Sequence, residues 1–145
     1  MAESGYDDRS VQSLSVDECV ELLARRSVGR LAVNIEGDGP LVIPVNYVWS
    51  GSAVVFRTDL GTKFDALAHG PISFQLDEID LVHRSGWSVL VRGRAENATY
   101  FESGHLDLEP WVGGDKKYWF RIVSHTVTGR RIVLPPFVPH EKGYL

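Results

Sequence analysis

The sequence lacks several features that would place it quickly in a class of proteins. It has one cysteine, Cys19, so no disulfide can form within the chain. No segment approaches the roughly 20 consecutive apolar residues that a membrane-spanning helix needs, and the polar first residues do not resemble a signal peptide. A net charge of −4 and a pI near 5.7 lack the basic excess of nucleic-acid-binding proteins. We therefore expect a cytoplasmic protein with neither a nucleic-acid nor a membrane partner.

Motifs for metal or hydrolytic chemistry are also missing. The five histidines follow no metal-binding spacing, a single cysteine cannot build a zinc centre, and no histidine is marked as a haem ligand. Gly-x-Ser-x-Gly is absent, which gives a serine hydrolase no support. The carboxylates of Asp77, Glu78 and Asp80 are interpreted as a solvated strand end. We expect no metal site, and the sequence identifies no catalytic residue.

What the sequence does contain is enough for one globular domain. The chain has 145 residues, 43% hydrophobic and 23% charged, which is typical of a single folded unit. We predict a flexible N-terminal tail at 1–13, a folded domain at 14–133 and a proline-rich C-terminal tail at 134–145.

The first predicted element is a helix that begins after Ser15. Ser15 and Glu18 form the pattern of a capping box, and Leu14 stands where a hydrophobic staple would lie. Cys19 and Leu23 fall at helical spacing with the other apolar residues of this segment. We therefore interpret Cys19 as a packing residue and not as a nucleophile.

The rest of the domain has the composition of β-strands. Six segments rich in β-branched and aromatic residues are separated by glycine- and proline-containing turns, which predicts an antiparallel meander. The predicted strands are Val28–Ile35, Leu41–Trp49, Ala53–Arg57, Ile72–Ile79, Trp87–Ala95 and Tyr118–Ile132. Pro44 indicates an edge or a bulge in the second strand. A short helix is predicted at Thr62–His69, and a mixed loop at Asn97–Lys117.

Six strands and two to three short helices predict a mainly β fold. Closure of the sheet into an antiparallel barrel would remove exposed strand edges. The strand pattern by itself also allows a β-sandwich.

The segment from Arg57 to Lys63 has the chemistry of an anion site. A strand ends at Arg57, the chain turns at Gly61, and the predicted helix begins at Thr62 and Lys63. A helix N-terminus offers free backbone N–H groups, and arginine and lysine side chains match phosphate oxygens. The alternative is a strand-to-helix turn whose cations are merely solvated.

Several short motifs occur in order along residues 14 to 133. They are Leu14-Ser15-x-x-Glu18-Cys19, Val28-Gly29-Arg30-Leu31-Ala32, Pro44-Val45-Asn46-Tyr47, Phe56-Arg57-Thr58-x-x-Gly61-Thr62-Lys63, Gly86-Trp87-Ser88-Val89, Pro110-Trp111-x-x-Gly114 and Val127-Thr128-Gly129-Arg130-Arg131. Together they resemble the pyridoxamine 5'-phosphate oxidase-like family of FMN-binding split-barrel proteins.

This resemblance implies a six-stranded split barrel that forms a homodimer with two flavin sites at the interface. It implies that Arg57, Thr62 and Lys63 bind the FMN phosphate. It also implies that two strand segments run beside the isoalloxazine, and that side chains of later strands approach it, in part from the second subunit. The other implied site residues are Pro44, Val45, Asn46, Tyr47, Phe56, Thr58, Trp87, Ser88, Trp119 and Arg121. A large aromatic on a strand is more often a core or dimer-interface residue than a cofactor-stacking one.

The function expected from the resemblance is an FMN-dependent oxidoreductase acting on a small molecule. One alternative is a deazaflavin-dependent reductase, although its longer anionic cofactor would favour a more basic groove. Another is a flavin-binding or storage protein without turnover. Enzymes that oxidise pyridoxamine phosphate carry a C-terminal segment with arginine and histidine that 134–145 does not match. Vitamin B6 oxidation is therefore not predicted.

Overall fold

The computed structural model describes residues 10–58, 70–98, 106–111 and 118–134. In these ranges the chain forms one helix and seven strands. They are β1 (Ser10–Leu14), α1 (Val16–Arg25), β2 (Val28–Ile35), β3 (Gly39–Trp49), β4 (Val54–Thr58), β5 (Pro71–Asp80), β6 (Ser85–Asn97) and β7 (Tyr118–Val133).

Six of the strands close into a ring. The sheet order is β1-β7-β4-β3-β2-β5-β6, and β6 also pairs with β7. Every pairing is antiparallel. The long strand β7 makes this possible because β4 pairs with Tyr118–Ile122, whereas β1 pairs with Gly129–Val133 on the same side. The predicted six-stranded antiparallel split barrel is confirmed.

The N-terminal boundary differs from the sequence prediction. Ser10–Leu14 form strand β1, which lies partly within the segment predicted as a flexible tail at 1–13. This strand is short and four of its five residues are exposed, so its pairing with β7 and the burial of Leu14 in the core hold it in place. The helix predicted at Thr62–His69 lies outside the described residues.

The predicted capping box at the start of α1 is present. The backbone N–H of Glu18 donates to Ser15 Oγ at 3.1 Å, and the N–H of Ser15 donates to Glu18 Oε1 at 3.3 Å. Cys19 and Leu23 are fully buried on the inner face of the helix, which confirms the packing role of Cys19. No helix in the described ranges is long and apolar enough to cross a membrane.

Because side chains alternate between the two faces of a strand, every second side chain points into the barrel. The interior is filled by large apolar residues, and the ring of Tyr47 meets that of Phe74 edge-on at 4.8 Å. Gly29 lies so close to this cluster that a Cβ there would come within 2.2 Å of Phe74 Cζ. The largest fully buried side chains are Tyr47, Phe56, Phe74, Phe120, Leu23, Leu31, Leu76 and Ile122.

Pro44 lies where β3 has a strand partner on one side only. It pairs with Arg30 of β2, whereas the pairing with β4 covers Tyr47–Trp49. The prediction of an edge position for Pro44 is confirmed for the described strands. Proline fits this position because it lacks the N–H that a second partner strand would require.

The strands are staggered around the barrel. A path that leaves β6 at Trp87 and follows the strand registers, with those of β2 extended to residue 27, crosses β5, β2, β3, β4 and β7 and returns to β6 at Asn97. Such an offset accompanies strand tilt in closed barrels. Consequently, along the path through β5 and β2, Trp87 lies at nearly the same height in the barrel as Tyr47. Along β6 itself, Trp87 lies far from Asn97, which pairs with Phe120.

Candidate functional site

The predicted site residues of β3, β4 and β7 lie on three adjacent strands. Tyr47 pairs with Phe56, and Phe56 pairs with Phe120. One residue further along β4, Arg57 pairs with Trp119. The fold therefore brings together the segments Pro44–Tyr47, Phe56–Thr58 and Trp119–Arg121, which must be neighbours if they belong to one binding site.

Two of these residues turn their side chains inward. Tyr47 and Phe56 are each 1% exposed. The Tyr47 hydroxyl donates to the carbonyl oxygen of Leu23 at 2.6 Å, and the Phe56 ring stacks on Phe120 at 5.8 Å. Burial raises the pKa of the Tyr47 phenol above its ordinary value. Both side chains are structural, so only their backbone groups are available to a ligand on the outer surface.

The outward side chains of the same strands form a patch around Arg57. The guanidinium of Arg57 lies 5.0 Å from the centroid of the Trp119 ring, and Nη1 donates to the carbonyl oxygen of Leu108 at 2.9 Å. Trp119 is 5% exposed and packs with Val55 and Leu108 in a small cluster outside the barrel. Aromatic and backbone contacts therefore fix the cation in position.

The segment Leu106–Trp111, whose place here was not predicted, covers part of this patch. Besides the Leu108 contact, the backbone N–H of Trp111 donates to Asn46 Oδ1 at 2.9 Å. The indole of Trp111 is 79% exposed. The sequence predicted this stretch as loop, and its one available signal was the Pro110-Trp111 pair within the family motif.

Arg121 and Thr58 lie at the margins of the patch. Arg121 Nε donates to Glu96 Oε2 at 2.8 Å, so an adjacent carboxylate balances its charge. Thr58 pairs with Tyr118 at the end of β4 and is half-buried. Thr62 and Lys63, the other predicted phosphate ligands, lie outside the described residues. Arg57 is therefore the described member of the predicted phosphate grip.

Trp87 and Ser88 were expected to approach from the next strand, but β5 and β2 separate β6 from β3. The side chain of Trp87 packs against the core, with the Arg26 guanidinium 5.4 Å from its ring centroid. Arg26 also forms an ion pair with Glu78. No local sequence pattern predicts this position of Arg26.

Ser88 nevertheless shares the outer surface with Asn46. It pairs with Asp77 on β5, and Asn46 pairs with Val28 on β2. The β2–β5 register, continued by two residues, sets Asp77 opposite Val28. With roughly 4.8 Å between adjacent strands, Ser88 lies on the order of 14 Å from Asn46 across the sheet. One face thus carries Ser88, Asn46 and Arg57.

Comparison with known proteins identifies the family. A sequence model described as pyridoxamine 5'-phosphate oxidase matches residues 15–131. An uncharacterized protein of Mycobacterium tuberculosis, Rv0080, is 31% identical over 140 residues, covering 90% of this chain and 91% of that protein.

Two solved structures are also similar. An FAD-binding protein from Mycobacterium smegmatis superposes with a TM-score of 0.64 at 31% identity, covering 84% of this chain and 98% of the other. An FAD-binding protein from Mesorhizobium loti gives a TM-score of 0.66 at 26% identity, with coverage of 86% and 98%. The family match over most of the chain, together with the barrel topology, shows that the chain belongs to the pyridoxamine 5'-phosphate oxidase-like family.

Proposed function

We propose that this protein binds FMN on the outer surface formed by β3, β4 and β7 and acts as an oxidoreductase on a small molecule. The observation that carries the proposal is the fixed position of Arg57 beside Trp119 and Leu108. Arg57 precedes, by a few residues, the segment that contains Thr62 and Lys63. A planar guanidinium held in place suits a phosphate group because it can donate two parallel hydrogen bonds.

The surroundings of Arg57 also fit a flavin. The β3 segment Pro44–Asn46 extends beyond the residues paired with β4, so its backbone borders the patch. Asn46 and the Leu106–Trp111 segment add polar and aromatic groups on one side. A flavin needs both an apolar surface for its rings and hydrogen-bonding groups for its polar edge. When bound, it would supply the redox chemistry, while these residues bind and orient it.

The relatives support a flavin without deciding its type. Two structural relatives are described as FAD-binding proteins. FAD contains the flavin and first phosphate of FMN, so the Arg57 contact would serve either cofactor. We propose FMN, with FAD and a deazaflavin as the outcomes to be distinguished.

A homodimer is part of this proposal. The outer faces of β2 and β3 expose Val28 at 37% and Val42 at 59% beside Pro44. A second copy would cover these apolar side chains and could bring its own site residues toward the flavin. Light scattering with and without flavin should give the mass of a dimer. A monomer that retains flavin at micromolar concentration would contradict the shared site.

Cofactor release tests the proposal directly. The purified protein should be yellow, and mass spectrometry of the released cofactor should give FMN. Loss of the yellow colour on addition of a reduced nicotinamide without oxygen would support an oxidoreductase. Bound flavin that no such donor reduces would favour a storage protein, and a preparation that takes up no flavin would refute the proposal.

A further inference from the structure

A groove on the outer surface of the barrel, at the end away from the Arg57 patch, has the chemistry of a second binding site. It has a volume of about 450 Å³ and lies where β2, β5, β6 and β7 meet. Its apolar walls are Ala32, Pro40 and Pro71, since the side chains of Val33 and Ile72 are buried in the barrel core. Its polar groups include Arg92 and His125. Its volume falls within the roughly 300–1,000 Å³ typical of small-molecule sites.

A β-bulge shapes this groove. Arg92 pairs with Thr126 and Gly93 with Ser124, which leaves His125 as an extra residue on β7. The bulge requires glycine at position 93 because a Cβ there would lie 2.0 Å from the carbonyl oxygen of Val123. Bulges redirect side chains, and here the extra residue is one that lines the groove.

The positive charge of Arg92 in the groove is not neutralised by a carboxylate of the described residues. Among the described residues that line the groove there is no aspartate or glutamate. Within the described ranges, no carboxylate lies within ion-pair distance of Arg92 or His125. By contrast, Arg30 and Arg26 on the same barrel have carboxylate partners. An arginine beside apolar walls therefore remains available for an anionic ligand.

We propose that this groove binds a small molecule with an apolar body and a single carboxylate. The Arg92 fork would receive the carboxylate, His125 would add a hydrogen bond, and Ala32 with the two prolines would cover the apolar body. The groove is distinct from the Arg57 patch, since Arg57, Trp119 and Leu108 do not line it. Binding there does not depend on flavin.

The test is a titration of the full chain with 2-naphthoate, followed by amide chemical shifts. The neutral analogue 2-naphthamide and inorganic phosphate are the comparison ligands. We expect naphthoate to shift the amides of Gly93 and Thr126, and both comparison ligands to bind far more weakly. Equal binding of the amide would overturn the role of the carboxylate. Tighter binding of phosphate than of naphthoate would show that the ligand's apolar body does not contribute, and would overturn the proposal.

Arg94 offers a matched control for Arg92. Both arginines lie exposed on β6, and Arg94 does not line the groove. Loss of a charge-assisted hydrogen bond should weaken naphthoate binding to Arg92→Gln by about 10- to 150-fold, with Arg94→Gln unchanged. Equal losses in the two variants, or no loss in either, would overturn the proposal. Flavin content should stay unchanged in both variants, so this result is separable from the proposed function.

Discussion

The guanidinium of Arg57 rests 5.0 Å from the ring centroid of Trp119, its register partner on the neighbouring strand. The same guanidinium donates to the carbonyl oxygen of Leu108. An arginine side chain normally loses considerable rotamer freedom when it binds a ligand. At Arg57 the fold has already restricted that freedom, so less would be lost on binding the proposed phosphate. Trp119 thus contributes as a support for Arg57 and not as an exposed stacking surface.

Cys19 provides a test of the packing assignment. Burial, followed by the negative charge of Glu18, raises the pKa of its thiol, so the native protein should react with thiol reagents only after unfolding. Cys19→Ala should lower the free energy of unfolding by about 1 kcal/mol through lost packing. Flavin content should not change. Rapid labelling of the native protein, or loss of activity with flavin retained, would contradict a purely structural role.

The hydrogen bond from Tyr47 to Leu23 should stabilise the junction between β3 and α1. Tyr47→Phe keeps the edge-on contact with Phe74 but leaves a buried carbonyl without its side-chain donor. We expect a loss of about 1–2 kcal/mol in the free energy of unfolding, measured by urea denaturation with an unchanged m-value. Tyr47→Leu also removes the ring and should destabilise further. Equal stabilities of wild type and Tyr47→Phe would contradict this role.

The turn between β5 and β6 should be sensitive to acid. The backbone N–H of His83 and then its ring, each hydrogen-bonded to Asp80, lower the pKa of the Asp80 carboxyl. Because this pKa is depressed in the folded state, its stabilisation is present above the ordinary value of about 3.9 and disappears as the pH falls through the lowered one.

Thermal unfolding of wild type and Asp80→Asn across this range checks the prediction. Wild type should be the more stable of the two above about pH 4, and the difference should shrink at lower pH. A difference that stays constant, or grows as the pH falls, would show that the ionised carboxyl does not stabilise the turn.

The sequence predicted those elements whose signals are local. β-Branched and aromatic composition between turn residues defined the six barrel strands, and Ser15 with Glu18 defined the start of α1. Strand β1 was missed because five mostly exposed residues become a strand only through β7. The neighbours of Trp87 could not be predicted because they depend on the β2–β5 pairing, which joins strands distant in sequence. The docking of Leu106–Trp111 onto Asn46 and Arg57 depends on tertiary contacts that no local pattern encodes.

The most direct test of the flavin account is a titration of FMN and riboflavin into wild type, Arg57→Ala and Lys63→Ala, with folding checked by circular dichroism. Each substitution should weaken FMN binding by about 10- to 150-fold, because each removes charge-assisted hydrogen bonds to the phosphate. Riboflavin, which has no phosphate, should bind the wild type weakly and be almost unaffected by either substitution. Unchanged FMN affinity in both variants, or equal losses for the two ligands, would contradict the phosphate assignment.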